Sequence, residues 1–452
     1  MPESSLYPAG IDAVTGKPID APELEEIARR LRAKLAEPTR RVREFLANPM
    51  DLSDAGWGVL FAKSDERTNA IREALRPLLE HRESQAKSKY RDYSGDLGYT
   101  AGESMIEFLE RHGTQPGPAD PTTVPCYILL VGSPEEIPYE FQYQLDHQRA
   151  VGRLHFDQIE HYRDYANAVV QAEKVARLSH KVAFFGPKQD SGTEISNDGL
   201  LAPLIESARK RSDCWVRCLL AEDATKKDLK GLLNNGEAPN LLFTAGHGLL
   251  YGSGHARQLS HQGALICQDW SGEGYVETYE AFAGEDLNDK ADLTGMLAFL
   301  FACNSAGAPR LSDFASNATD LRTVAPRAFV SALAQRLLGK GALAVIGHVE
   351  QVWQCSFLWR TAGYQPQVFI EMLRRLLDGA PVGYALEPIN SKYTDLAAIL
   401  LQVLQDKHLN LPEREKSMAD LWTACRDARN YVIVGDPAVR LPGKPRSVRR
   451  GV

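Results

Sequence analysis

From about residue 121 onward, short apolar runs recur along the chain, each stopped by glycine, proline or small polar residues. Runs at 127–132, 181–185, 214–219, 240–245, 297–303, 342–347 and 431–434 have the length and β-branched or aromatic content of strands buried on both faces. Between them, apolar positions at helical spacing predict helices over 157–178, 196–209, 224–233, 328–338 and 367–377. Strands alternating with helices argue for an α/β fold, a mainly parallel sheet covered by helices on both faces. The first 120 residues read differently. An amphipathic stretch opens at Ala21-Pro22-Glu23-Leu24 and runs through Leu35, and a second over 66–81 lines up Ile71, Leu75, Leu78 and Leu79. Glycines and prolines crowd 111–125, which predicts a boundary there. The expected organisation is a mostly helical region over 1–120, an α/β domain over 121–442 and a short basic tail over 443–452.

Composition narrows the picture only slightly. The chain has 452 residues, 44% hydrophobic and 25% charged, ordinary for a folded protein with room for a large core. Its 52 basic and 59 acidic residues leave a net charge of −7, which gives no reason to expect nucleic-acid binding. The N-terminus lacks a basic stretch followed by an apolar core, and no apolar run approaches the ~20 residues that span a bilayer, so a cytoplasmic protein without membrane attachment is expected. Seven cysteines form no CxxC pair, which predicts reduced thiols and neither a disulfide framework nor a metal site. Gly339-Lys340-Gly341 and Gly246-His247-Gly248 each begin a dinucleotide-like pattern, but neither sits between a strand and a helix with a third glycine, and no cofactor is expected.

Candidate chemistry lies at the ends of two runs. Asn240 to Ala245 leads into Gly246-His247-Gly248, and Met296 to Phe301 leads into Ala302-Cys303-Asn304. Parallel neighbours joined by a crossover would deliver His247 and Cys303 to one sheet edge, where open α/β sheets place their sites. A thiol near neutral pH is only a few per cent thiolate, and an adjacent imidazole can take its proton. The flanking glycines let the backbone come close to a substrate and leave amide N–H groups free to face a developing oxyanion. His348, after another run, is a second candidate base.

With these motifs in place, residues 121–442 resemble the caspase-like (clan CD) cysteine peptidases, most of all the gingipain-type and bacterial CHAT-type members. The resemblance is carried by Tyr127-Ile128-Leu129-Leu130-Val131-Gly132, by Leu145 to Arg153, by the two motifs above, by Gly341 to His348 followed by Val352-Trp353, and by Gly435-Asp436-Pro437. It implies Cys303 as nucleophile, His247 as general acid and base, and Gly248 as an oxyanion donor. It also implies Asp146 as the floor and Trp353 as the wall of a pocket for the residue before the scissile bond. The implied function is a cysteine endopeptidase cutting a protein substrate after Arg or Lys through a thioester, in regulated proteolysis of bacterial signalling or defence. The alternative is a catalytically silent scaffold; in either case residues 1–120 are the candidate surface for a regulatory protein partner. Ala306 to Pro326, rich in small and turn-forming residues, is expected to be a mobile loop beside the nucleophile.

Overall fold

The computed structural model describes residues 10–16, 47–117, 119–175, 179–236, 238–314, 323–359, 362–405 and 412–443. Ten strands form one sheet: β1 Trp57–Phe61, β2 Tyr90–Tyr93, β3 Tyr127–Val131, β4 Ala150–Leu154, β5 His180–Gly186, β6 Cys214–Leu220, β7 Leu241–Ala245, β8 Leu297–Phe301, β9 Ala344–His348 and β10 Tyr431–Gly435. Their spatial order is β2-β1-β3-β4-β10-β9-β8-β7-β5-β6. Every neighbouring pair is parallel except β9 with β10, so two parallel blocks meet at one antiparallel seam. Strands β3, β4, β7, β8, β9 and β10 are buried along their whole length, which is why all of them but β4, with its Arg153, read as apolar runs.

Helices cover both faces. The principal ones are α1 Thr68–Ala86, α2 Ile159–Lys174, α3 Gln367–Leu377, α4 Val382–Gln405 and α5 Pro412–Arg429. α1 turns Ile71, Leu75, Leu78 and Leu79 inward and packs against α2. α4 packs on both α3 and α5.

All seven runs expected as strands are strands. The first 120 residues are not an appended helical region, however, because β1 and β2 extend the same sheet beyond β3. The glycine- and proline-rich stretch leads from the helix Met105–Arg111 into β3, which pairs with β1 of the same sheet, and Cys126 N–H donates to Ala55 C=O at 2.9 Å. The amphipathic stretch at 21–35 and most of the basic tail lie outside the described residues. No described helix is long and apolar enough to cross a membrane.

Candidate active site

Four adjacent parallel strands, β5, β7, β8 and β9, end at one edge of the sheet. Register places Ala245 level with Phe301, and Leu300 level with Gly347. His247 and Cys303 each stand two residues past the level pair Ala245 and Phe301. The two side chains are thus delivered by neighbouring strands at equal height.

Gly248 fixes how close the two loops come. A Cβ there would lie 2.1 Å from the Cys303 carbonyl oxygen and 2.9 Å from its nitrogen, so only glycine lets the backbone after His247 lie against the backbone of Cys303. Gly248 also begins a strand of a second, smaller sheet, level with Gly10 on one side and Leu265 on the other. Asn304, directly after the cysteine, takes φ of 55°. That turn is held by its Nδ2, which donates to Gly307 C=O at 2.9 Å and Val349 C=O at 2.8 Å.

The third member of the site was not foreseen from sequence. Asp190 follows β5 and caps the short helix Ser191–Ser196, its Oδ1 accepting from Thr193 N–H at 2.8 Å. Its Oδ2 lies 2.7 Å from His247 Nε2. Burial pushes the Asp190 carboxyl up, but the hydrogen bond and charge of His247, aided by Thr193, outweigh it and hold the group well below the usual carboxylate range. The other imidazole nitrogen, Nδ1, is buried without a hydrogen-bond partner. The sequence held a signal for this: Asp190 and Thr193 have capping-box spacing at the end of the strand next to that of the histidine.

The thiol is roofed. Cys303 has no exposed surface and His247 is 2% exposed. Val352 N–H, from the loop after β9, donates to Cys303 Sγ at 3.2 Å. Gln354 Nε2 in turn donates to Gly192 C=O at 3.2 Å, tying this loop to the Asp190 helix.

Other expected site residues sit differently. Trp353 follows Val352, but its ring is fully buried against Phe314, at 5.6 Å between centroids, in a cluster with residues of α4 and α5. Asp146 stands just before β4, with β10 and β9 between that strand and β8. Its Oδ1 accepts from Val151 N–H at 2.9 Å and its Oδ2 from Asn390 Nδ2 at 2.8 Å. His348 is fully buried with Nδ1 2.9 Å from Glu350 C=O and Nε2 2.9 Å from Asp427 C=O, so neither nitrogen serves the site. In the segment after the nucleophile, Gly307–Ala308 pairs with Phe329–Val330; residues 315–322 lie outside the described residues. All seven cysteines are thiols. Among the described residues no three His, Cys, Asp or Glu side chains converge as metal ligands.

No family model and no curated protein matches the chain. Solved structures do. One described as a protease matches at TM-score 0.50 and 13% identity, over 86% of this chain and 79% of that one. The Arg-specific cysteine proteinase gingipain R matches at TM-score 0.44 and 12% identity, over 88% of this chain and 80% of that one. The separase–securin complex of Saccharomyces cerevisiae matches at TM-score 0.35 and 14% identity, over 73% of this chain and 17% of that one. At such identities the likeness concerns the fold alone.

Proposed function

We propose that this protein is a cysteine endopeptidase with Cys303 as nucleophile, His247 as general base and acid, and Asp190 as the group that orients the imidazole. The observation that carries this reading is the asymmetry of His247. Its Nε2 is held by a carboxylate at 2.7 Å, while Nδ1 is buried with no partner, on the strand beside the one that delivers the thiol. Donation from Nε2–H to Asp190 selects the tautomer whose Nδ1 accepts a proton. Nδ1 takes the proton from Sγ, and the thiolate attacks the scissile carbonyl carbon. Nδ1–H then protonates the departing amine as the C–N bond breaks, leaving a thioester. Water, deprotonated by the same nitrogen, hydrolyses it. Gly248 N–H, pressed against Cys303, is the donor proposed for the oxyanion.

A silent scaffold is disfavoured by the same observation. An unsatisfied buried nitrogen costs about 1–3 kcal/mol; His155 Nδ1 bears the same cost, so what sets His247 apart is its carboxylate partner and its place beside the strand of Cys303. The basic-residue preference expected from Asp146 forms no part of this proposal; both its oxygens already accept hydrogen bonds, from Val151 N–H and Asn390 Nδ2. Since Cys303 has no exposed surface, Val352 must withdraw before a peptide can enter.

The test is covalent labelling by peptidyl electrophiles that carry Arg, Lys, Asp or Asn next to the warhead, read by peptide mass mapping. The adduct is expected on Cys303, and Cys303→Ala should lose roughly 10⁴-fold or more in turnover of any peptide the parent cuts. Full turnover by that variant would remove Cys303 from the chemistry.

A further inference from the structure

A cavity of about 320 Å³ opens between the loop after β9 and helices α3 and α4. At that volume it suits one side chain better than a cofactor. It begins one residue beyond Gln354, the residue that ties the roof of Cys303 to Gly192. One of its walls, Phe357, packs edge-on against Phe301 of the nucleophile strand, with ring centroids 5.6 Å apart. The cavity is therefore part of the same loop system that covers the thiol.

Its lining has a distinct chemistry. Phe357, Leu358, Trp359, Val368 and Leu396 supply apolar walls. Gln365 and Gln367 are polar but uncharged, and burial pushes the Cys355 thiol well above its ordinary value, so it stays neutral. Lys392 on α4 is the charged residue among those lining the cavity. Its ammonium donates to Cys355 C=O at 2.9 Å and to Ser356 C=O at 2.6 Å, which uses two of its three N–H groups. It makes no ion pair with a described carboxylate. Burial lowers its proton affinity, and the charge of Asp427 only partly offsets this, so a further negative partner would stabilise the charged form.

We propose that this cavity is a substrate subsite for an acidic side chain. The apolar stem of a glutamate-like group would lie along Phe357 and Trp359, and its carboxylate would take the remaining N–H of Lys392. The assignment to substrate rests on the peptidase reading; the carboxylate site itself does not.

The test has two arms. In the first, the full chain is titrated with hexanoate and with hexanamide, followed by the methyl resonances of Leu396 and Val368. Hexanoate should bind at least about 10-fold tighter, a charge-assisted contact against a neutral one. Lys392→Met should erase the difference, and Lys392→Arg should restore most of it. Equal affinities, or a preference that survives Lys392→Met, would overturn the site. In the second arm, a peptide library is cut by the parent and by Lys392→Met. A Glu-over-Gln preference of about 10-fold at one position, lost in the variant, supports the subsite; cleavage without it overturns the assignment to substrate. Should the parent cut nothing and Cys303 accept no electrophile while the hexanoate preference stands, the peptidase reading falls with the substrate assignment and the carboxylate site remains.

Discussion

Asp190 divides its carboxylate between two tasks, one oxygen capping a helix and the other holding His247, and the division makes a clean substitution available. Asparagine also caps helices, so Asp190→Asn keeps the turn while it removes the charge and the tautomer selection. Turnover by the variant should fall by about 10²–10⁴-fold, with little change in KM, because the imidazole loses its orientation rather than its contact with substrate. A variant as active as the parent would remove Asp190 from the site. Stability adds an independent check. The folded carboxyl is held below its unfolded value of about 3.9, so its contribution is complete above that pH and is lost as acid titrates the folded group. The gap in urea midpoint between parent and Asp190→Asn should be present at pH 6 and shrink towards pH 3. His247 and Cys303 were legible in the sequence because each is announced locally, by an apolar run and small neighbours. Asp190 was not, because its role depends on which strand lies beside β7. Asp146 matches a pocket motif in sequence, and in the fold its oxygens accept from Val151 N–H and Asn390 Nδ2.

At the scale of elements, the loop after β9 and the segment after the nucleophile are joined through one buried carboxyl. Glu350 lies 2% exposed, hydrogen-bonded to the Ser312 hydroxyl and accepting from Asp313 N–H at 3.1 Å, while Asp313 pairs with Arg429 of α5. Burial, with the Asp313 charge beside it, pushes Glu350 up to about 8. The unfolded value is about 4.3, so the folded state holds the proton more tightly. The resulting stability is complete below about pH 4.3 and is lost as pH rises to about 8. Glu350→Gln should flatten this slope: between pH 5 and 9 the parent's urea midpoint should fall further than the variant's. Parallel slopes would show that Glu350 is not the titrating group. Of the three strands of the sheet that sequence reading missed, β1 is a short apolar run within a stretch read as helical, and the other two lack such a run. β2, Tyr90–Tyr93, is a polar edge strand with no apolar run. β4 carries Arg153, a residue that reads as loop, yet its guanidinium is buried on Gln142 Oε1, Gly132 C=O and Ile137 C=O. A buried arginine with its donors satisfied by carbonyls has no signature that distinguishes it from a solvated one.

Across the whole molecule, the first 120 residues are fastened to the C-terminal end by a buried charge cluster. Arg82 of α1, 1% exposed, donates from Nε to Asp436 Oδ2 at 2.6 Å and from Nη2 to Glu173 Oε1 of α2 at 2.6 Å. Trp57 of β1 donates from its indole to the other oxygen of Asp436 at 2.9 Å, and Asp436 itself is fully buried just past β10. A sequence boundary near 120 separates Arg82 and Trp57 from Asp436 and Glu173, whereas the fold places all four in one network. The glycines and prolines there lie between a helix and a strand of the same sheet, and composition alone does not distinguish such a connection from a linker between domains. Removing one partner from a buried ion pair leaves the other charge uncompensated and typically costs about 3–5 kcal/mol. Arg82→Ala should therefore lower stability by about that amount in urea unfolding, through one cooperative transition in which far-ultraviolet circular dichroism and tryptophan fluorescence coincide. A fragment of residues 121–452 should fare worse, since it strips both Arg82 and Trp57 from Asp436 and bares β3 as a long apolar edge. It is expected to aggregate when expressed alone. Recovery of that fragment as a folded monomer with the unfolding midpoint of the full chain would refute the account and restore the first 120 residues to the separate region their sequence suggests.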